Sequence, residues 1–380
     1  MRILHTSDLH LGKRLHQHSL LADQRNVLEQ LTAAVESQRP DLFVVAGDVF
    51  DRSLPPEDAV SLFGDWLYEL HRRFPDLPVV LIAGNHDSAR RLAWPSRLLE
   101  RGNIFIRGEP RTVNEPIEIK TQAGERAQIW ALPFVWPGDF TNQEGARSTM
   151  VSAFETGISW VKQGQDQDQI QVLVAHCFTR GSEPSDSERT LVGQATLIDT
   201  DCFDGFDYVA LGHLHRPQSV TPHVHYSGSP LAYSFSEDSD LKSFIVAECQ
   251  AGQSPQIERI ALTPLRPLRK VQASVEELLQ SERYDHLKES YLMVSLTEPS
   301  ALPDPMSRLR DRFPYLLHLR TVTPEAPEQT VKVAQRSAKP DLEADLRGFW
   351  AHINAEPPGE EVMEAFVEIR VALSKAGGQP

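Results

Sequence analysis

The sequence is poor in cysteine, in long apolar runs and in positive charge, and each shortage excludes something. Three cysteines in 380 residues, Cys177, Cys202 and Cys249, stand in no CxxC spacing. That excludes a disulfide framework or a thiolate zinc cage and points to a reduced, cytoplasmic setting. No apolar run nears the roughly 18 residues of a membrane span, so a membrane-embedded role is excluded. Residues Met1 to Asp8 reach a charge before an apolar signal core can form, and no secretory peptide is expected. With 53 acidic against 38 basic residues the formal charge is −15, so nucleic acid cannot be gripped by bulk positive charge. Any polyanionic substrate must be met locally.

What is present is enough chain for two or three domains of roughly 100–200 residues. Over residues 1–263 short β-branched runs alternate with amphipathic segments, the pattern of an α/β layer fold. The strand candidates are Ile3–Ser7, Leu42–Ala46, Val79–Ala83, Gln128–Leu132, Ile170–Ala175, Tyr208–Leu211 and Phe244–Glu248. Most are continuously apolar, as strands covered on both faces are. Helical spacing appears in Val27, Leu28, Leu31, Ala34 and Val35, in Ala59, Val60, Phe63, Leu67 and Leu70, and in Met150, Phe154, Ile158 and Val161.

Pro264 and Pro267 interrupt this pattern, and residues 264–323 then read as a small domain with the order strand, helix, strand, helix, strand. Residues 324–340 carry prolines among polar residues and read as a linker. Residues 341–380 read as two short amphipathic helices. Leu342, Leu346, Phe349, Trp350 and Ile353 share one face, and Val362, Ala365, Phe366, Ile369 and Leu373 share the other. Helices of that length are marginal alone in water, so both apolar faces must find a surface, on this chain or on another protein.

Five polar clusters stand at the ends of the strand candidates: Asp8-Leu9-His10, Gly47-Asp48-Val49-Phe50-Asp51, Gly84-Asn85-His86-Asp87, Ala175-His176 and Gly212-His213-Leu214-His215. The carboxyl ends of strands in an open α/β sheet are where ligands bind, so the clusters are expected to converge on one crevice. Two carboxylates, an amide and four imidazoles form an oxygen and nitrogen donor set suited to divalent manganese, iron or zinc. One-residue spacing in Asp8-x-His10 and His213-x-His215 predicts, on extended backbone, two ligands on one face. Gly47, Gly84 and Gly212 are read as sharp turns off a strand. Asp48 is the candidate bridge between two ions, because a carboxylate offers about four lone-pair sites and an imidazole one. Any one of these short patterns arises by accident; the ordered set of five does not.

In that order the motifs resemble the calcineurin-like metallophosphoesterases over roughly residues 1–235, and within them the nuclease subunits of double-strand-break repair. The runs Met-Arg-Ile-Leu-His-Thr-Ser-Asp-Leu-His-Leu-Gly, Val-Ala-Gly-Asp-Val-Phe-Asp, Ala-Gly-Asn-His-Asp-Ser and Tyr-Val-Ala-Leu-Gly-His-Leu-His-Arg carry that likeness. The resemblance implies an α/β fold: a metallophosphoesterase β-sandwich flanked by helices over 1–263, a capping α/β domain over 264–323, a linker, and a helical tail over 341–380. It implies two divalent metal ions, Mn2+ as the first choice. Asp8, His10, Asp48 and His215 would hold one, and Asp48, Asn85, His176 and His213 the other. His86 would stabilise or protonate the reacting phosphate, with Asp51 orienting it.

The implied activity is ATP-dependent nuclease action in DNA repair, replication and recombination. It comprises a 3′-to-5′ exonuclease on duplex ends and an endonuclease on single strands and hairpins. The implied partners are DNA and an ATPase whose coiled coil receives the C-terminal helices, in a heterotetramer containing a homodimer of this chain. The implied place is the cytoplasm, at the nucleoid. Lys13, Arg14, Arg52, Arg90, Arg91 and Arg216 neighbour the motifs and are candidates for backbone phosphates. The competing reading is a stand-alone phosphatase or small-molecule phosphodiesterase, which the acidic charge suits but which has no use for the extra domain and the orphan helices. A catalytically inert scaffold is disfavoured by the complete donor set.

Overall fold

The computed structural model describes residues 1–140, 149–185, 188, 197–297, 303–321, 359 and 362–363. Met1–Val322 form one compact unit and Thr323–Pro380 a second. The linker and all but three residues of the tail lie outside the described residues, as do its two amphipathic faces apart from Val362.

In chain order the first 263 residues supply β1 (Arg2–Thr6), α1 (Leu21–Gln38), β2 (Leu42–Val45), α2 (Glu57–Arg73), β3 (Val79–Ile82), β4 (Ile104–Arg107), β5 (Ile117–Lys120) and β6 (Arg126–Leu132). There follow α3 (Met150–Gly164), β7 (Ile170–His176), β8 (Tyr208–Gly212), β9 (Gln218–Thr221), β10 (Val224–Tyr226), β11 (Ser243–Glu248) and β12 (Gln256–Ala261). They build two six-stranded sheets, ordered β12-β11-β1-β2-β3-β4 and β9-β10-β8-β7-β6-β5. The strands β1 to β4 run parallel, as do β6, β7, β8 and β10; the pairs β1–β11, β11–β12, β9–β10 and β5–β6 are antiparallel, and β4 is a parallel edge.

Alternate side chains explain the continuous apolar runs. Ile3, Leu42, Val44, Val80 and Ile82 point into the space between the sheets and meet Ile129, Val172, Val174 and Ala210 from the other side. Leu4, Phe43, Val45, Val79 and Leu81 point outward, under α1 and α2. Trp130, Leu132, Leu173, Val209 and Leu211 do the same under α3. Both faces of each sheet are covered, so neither residue parity can be polar. The helices bury the stripes that their spacing predicts, with two exceptions: Met150 of α3 is only half-buried, and Val60 of α2 is 48% exposed, Leu62 and Trp66 taking the inward positions instead.

Residues 264–321 add β13 (Leu268–Ala273), α4 (Val275–Gln280), β14 (Tyr291–Leu296), α5 (Pro305–Arg312) and β15 (Leu316–Thr321), a three-stranded parallel sheet in sequence order. Its core gathers Val275, Leu278, Leu292, Val294, Leu309 and Phe313. Ser274 starts α4 with a reciprocal cap, its hydroxyl accepting from Glu277 N while the Glu277 carboxylate accepts from Ser274 N. This sheet lies in the same compact unit as the sandwich. Tyr291 donates to Asp23 Oδ2 on α1 at 2.7 Å, and Leu268 and Tyr291 join the apolar cluster that covers the first sheet.

Candidate metal centre

Because β1, β2, β3, β7 and β8 are parallel within their sheets, their carboxyl ends deliver five loops to one edge of the sandwich. Asp8 and His10 follow β1, Asp48 and Asp51 follow β2, and Asn85 and His86 follow β3. His176 ends β7, and His213 and His215 follow β8. Apart from half-buried Asn85, the candidate ligands are at most 7% exposed.

The loops are not extended, contrary to the period-two expectation. Asp8, His10, Asp48 and His213 all have left-handed backbone, with φ of 53°, 43°, 50° and 103°. That conformation is strained for residues carrying a Cβ and persists only where surroundings enforce it. Main-chain bonds enforce it here: Asp8 N to Gly47 O at 3.0 Å, His10 N to Asp48 O at 2.9 Å and Leu11 N to Val49 O at 2.9 Å. His213 N also donates to Asp8 Oδ1 at 3.0 Å.

The glycines act partly by torsion and partly by room. Gly47 has φ 91°, as a turn off a strand requires. Gly84 and Gly212 have ordinary torsions. A Cβ on Gly84 would stand 2.1 Å from Asp48 Oδ1, and one on Gly212 would stand 1.8 Å from Ala46 O. At these two positions the missing side chain lets loops touch.

The donor atoms converge pairwise. His10 Nε2 and His215 Nε2 face each other at 3.1 Å. Asn85 Oδ1 lies 3.1 Å from His176 Nε2 and 3.0 Å from His213 Nδ1. Asp48 Oδ2 lies 3.7 Å from His10 Nε2 and 3.4 Å from His176 Nε2, between the two groups. The sets Asp8, His10, His215 and Asp8, Asp48, His176 each bring ligand atoms within 4.8 Å of one another.

These residues fit a divalent ion on a structural ground. His176 Nδ1 lies 2.8 Å from Ala46 O, which can only accept, so Nδ1 carries a proton and Nε2 faces two further acceptors, Asn85 and Asp48. A ring nitrogen set among acceptors calls for positive charge at that point, which a second ring proton supplies without metal and a divalent ion would supply in its place. Burial alone would lower the pKa of His176, but the Asp48 carboxylate raises it to about 9. Burial raises Asp48 in turn, yet His176 outweighs it and holds the carboxyl below the usual carboxylate range. His10 and His213 are pushed down by burial, to about 4 and about 3, and stay neutral as ligands must. Burial lifts Asp8 to about 6.

His86 joins His10 and Asp51 in a third set whose ligand atoms lie within 4.8 Å of one another. Its Nδ1 donates to the main-chain carbonyl of Asp51 at 2.9 Å and its N–H to Asp48 Oδ1 at 2.8 Å, on a half-exposed side chain whose ring lies 4.8 Å from that of His10. The Asp51 carboxylate points elsewhere, to Lys13 Nζ at 2.8 Å and His10 Nδ1 at 3.6 Å. Arg91 donates to Ser53 O, and Arg216 lies 3.5 Å from both Asp240 and Glu183.

Residues 1–217 match the calcineurin-like phosphoesterase family, and residues 264–346 match a family described as the type 5 capsule protein repressor C-terminal domain. A Staphylococcus epidermidis protein, named as the SbcD subunit of the nuclease SbcCD, is 33% identical over 326 residues, 85% of this chain and 86% of its own. Its namesake in Staphylococcus saprophyticus is 30% identical over the whole of both chains. The chain belongs to the SbcD family of calcineurin-like phosphoesterases. A solved structure from Thermus thermophilus is similar at 13% identity, covering 68% of this chain and 98% of its own with a TM-score of 0.40.

Membership makes this SbcD-family chain a metal-dependent phosphoester hydrolase. Among its described residues no helix is long and apolar enough to cross a membrane.

Several residues that shape this SbcD-family site were not singled out in the sequence. Asp87 accepts from Val49 N, Phe50 N and Gly84 N at 2.9–3.0 Å, tying the β2 and β3 loops together, while burial and then Asp48 raise its pKa to about 7. Its place next to His86 in a strand-end turn was the available signal. Glu188, Glu237 and Lys242 surround His215, and nothing in their spacing marks them.

Proposed function

We propose that this chain is the nuclease subunit of an SbcCD-type complex, hydrolysing DNA phosphodiesters with two divalent ions, Mn2+ first among them, in concert with an SbcC-type ATPase. The observation that carries this reading is the single buried cluster in which seven donor residues from five loops meet around Asp48. Asp8, His10, Asp48 and His215 would hold one ion, and Asp48, Asn85, His176 and His213 the other. Ions so held supply Lewis-acid neutralisation of the phosphate and make water available as a nucleophile near neutral pH.

The chain's own residues do the rest. Left-handed turns locked by main-chain bonds fix the donors before substrate arrives, so little reorganisation remains at the moment of reaction. His86 spends its Nδ1 proton on Asp51 O, which orients the ring and leaves Nε2 as its only other polar atom, beside the donor cluster. From there, when the ring carries a second proton on Nε2, it would donate a hydrogen bond to the reacting phosphate or give that proton to the leaving oxygen. Asp51 supports it through its main chain, and with Lys13 presents an ion pair to His10. The preference for duplex ends in the 3′-to-5′ sense and for hairpins, the use of ATP, assembly through the C-terminal helices and the division into nuclease domain, cap and tail belong to the same reading.

The test is Mn2+-dependent cleavage of end-labelled duplex and hairpin DNA, with and without the ATPase partner and ATP, beside a chromogenic phosphodiester. Cleavage of DNA that rises with the partner supports the proposal. Turnover of the small ester alone would replace it with a small-substrate phosphodiesterase.

A further inference from the structure

One half of the donor cluster is braced differently from the other. His10 and His215 each turn Nδ1 toward a carboxylate that in turn meets a lysine. At His10 the chain of contacts is Asp51 at 3.6 Å and Lys13 Nζ on Asp51 at 2.8 Å. At His215 it is Glu237 Oε1 at 3.6 Å and Lys242 Nζ on Glu237 Oε2 at 2.6 Å. His176, by contrast, is held by the neutral carbonyl of Ala46, and His213 turns its Nδ1 inward to Asn85.

The pair behind His215 is the harder one to account for by stability. Glu237 is 1% exposed and Lys242 6%, and the desolvation of a buried ion pair offsets most of its attraction. Lys242 also donates to the main-chain carbonyl of His215 at 2.9 Å and to Ser229 Oγ at 3.2 Å. Both members therefore end on His215, the ammonium on its main chain and the carboxylate toward its ring. Glu188 Oε1 lies 3.4 Å from the same Nδ1, but that carboxylate already accepts from His215 N at 2.6 Å and from Ser185 N. Its work is on the backbone of the loop.

We propose that Glu237 and Lys242 are positioning residues for the metal centre. Glu237 holds the proton on His215 Nδ1, so that Nε2 presents its lone pair beside His10, and Lys242 holds the Glu237 carboxylate in place while anchoring the His215 main chain. Carboxylates behind ligating imidazoles fix tautomer and raise basicity in this way. The inference rests on reading Asp8, His10 and His215 as half of a metal site.

It is tested by calorimetric titration of the full metal-free chain with Mn2+, and by nitrogen-15 NMR of the His215 ring before metal is added. The variants are Glu237→Gln, the double variant Glu237→Gln with Lys242→Met, which leaves neither charge alone should the single change impair folding, and Glu188→Gln. The wild-type chain is expected to bind two equivalents. Both Glu237 variants are expected to weaken one of them about 10- to 100-fold and to lose the Nδ1-protonated tautomer, while Glu188→Gln keeps that tautomer. Wild-type affinities in both Glu237 variants, or loss of the tautomer in Glu188→Gln alone, would overturn the positioning role and leave the metal reading intact. A wild-type chain that binds no Mn2+ would overturn both.

Discussion

The imidazoles of the site differ in the proton they hold, and each difference follows from what the ring faces. His10 and His213 are neutral because burial removes the water that a charged ring needs, whereas His176 faces Asp48 and takes up charge despite burial. His86 adjoins this cluster through His10 and Asp51 and is proposed to act on the phosphate rather than on an ion. His86→Ala is therefore expected to leave bound metal nearly unchanged while removing about 100-fold or more of turnover, within the range general acid–base groups contribute. Metal analysis alongside cleavage rates checks it, and full activity in the variant contradicts the role. Gly84→Ala is expected to do the reverse. The added methyl would overlap Asp48 Oδ1, so metal binding should fall first, seen by calorimetry, with secondary structure retained by circular dichroism.

At the scale of elements, legibility followed burial. Strands covered on both faces, such as Leu42–Val45 and Tyr208–Gly212, announce themselves as continuous apolar runs, and helices α1 and α3 as stripes. The strands that went unread are short or lie at edges. Ile117–Lys120 and Gln256–Ala261 alternate with charged residues and resemble surface loop, and Gln218–Thr221 has one apolar residue. The site itself was legible as motifs. Its geometry was not, because left-handed turns at Asp8 and Asp48 depend on bonds to loops more than 30 residues away. The same applies to Glu237 and Lys242, which gain meaning only when their loop folds behind His215. The seam between the sandwich and the three-stranded sheet offers its own test. Tyr291→Phe removes the donor to Asp23 and the bond to His18, and is expected to cost about 1–3 kcal/mol in urea unfolding.

For the whole molecule, the −15 charge and a phosphodiester substrate would be reconciled by divalent ions held at one buried cluster, which would supply positive charge locally rather than over a surface. The same compactness has an acid limit. His5 is buried between the sheets with Nδ1 2.8 Å from Tyr208 OH, and burial, then His225, lowers its pKa to about 3. A histidine depressed on folding binds its proton more readily when unfolded. Its contribution is present above the unfolded value of about 6.5 and is lost as pH falls toward 3, at about 1.4 kcal/mol per unit. His5→Gln is expected to flatten that acid slope in unfolding titrations, and an unchanged slope would show that His5 is not its source.

Asp48 is proposed to join two ions into one hydrolytic centre. Counting manganese per chain in wild type and Asp48→Ala, while measuring cleavage of a labelled DNA hairpin, tests this directly. Two equivalents and cleavage are expected in the wild type, and loss of both ions together with cleavage in the variant. Two tightly bound equivalents retained by Asp48→Ala, or DNA cleaved at the wild-type rate without them, would contradict it.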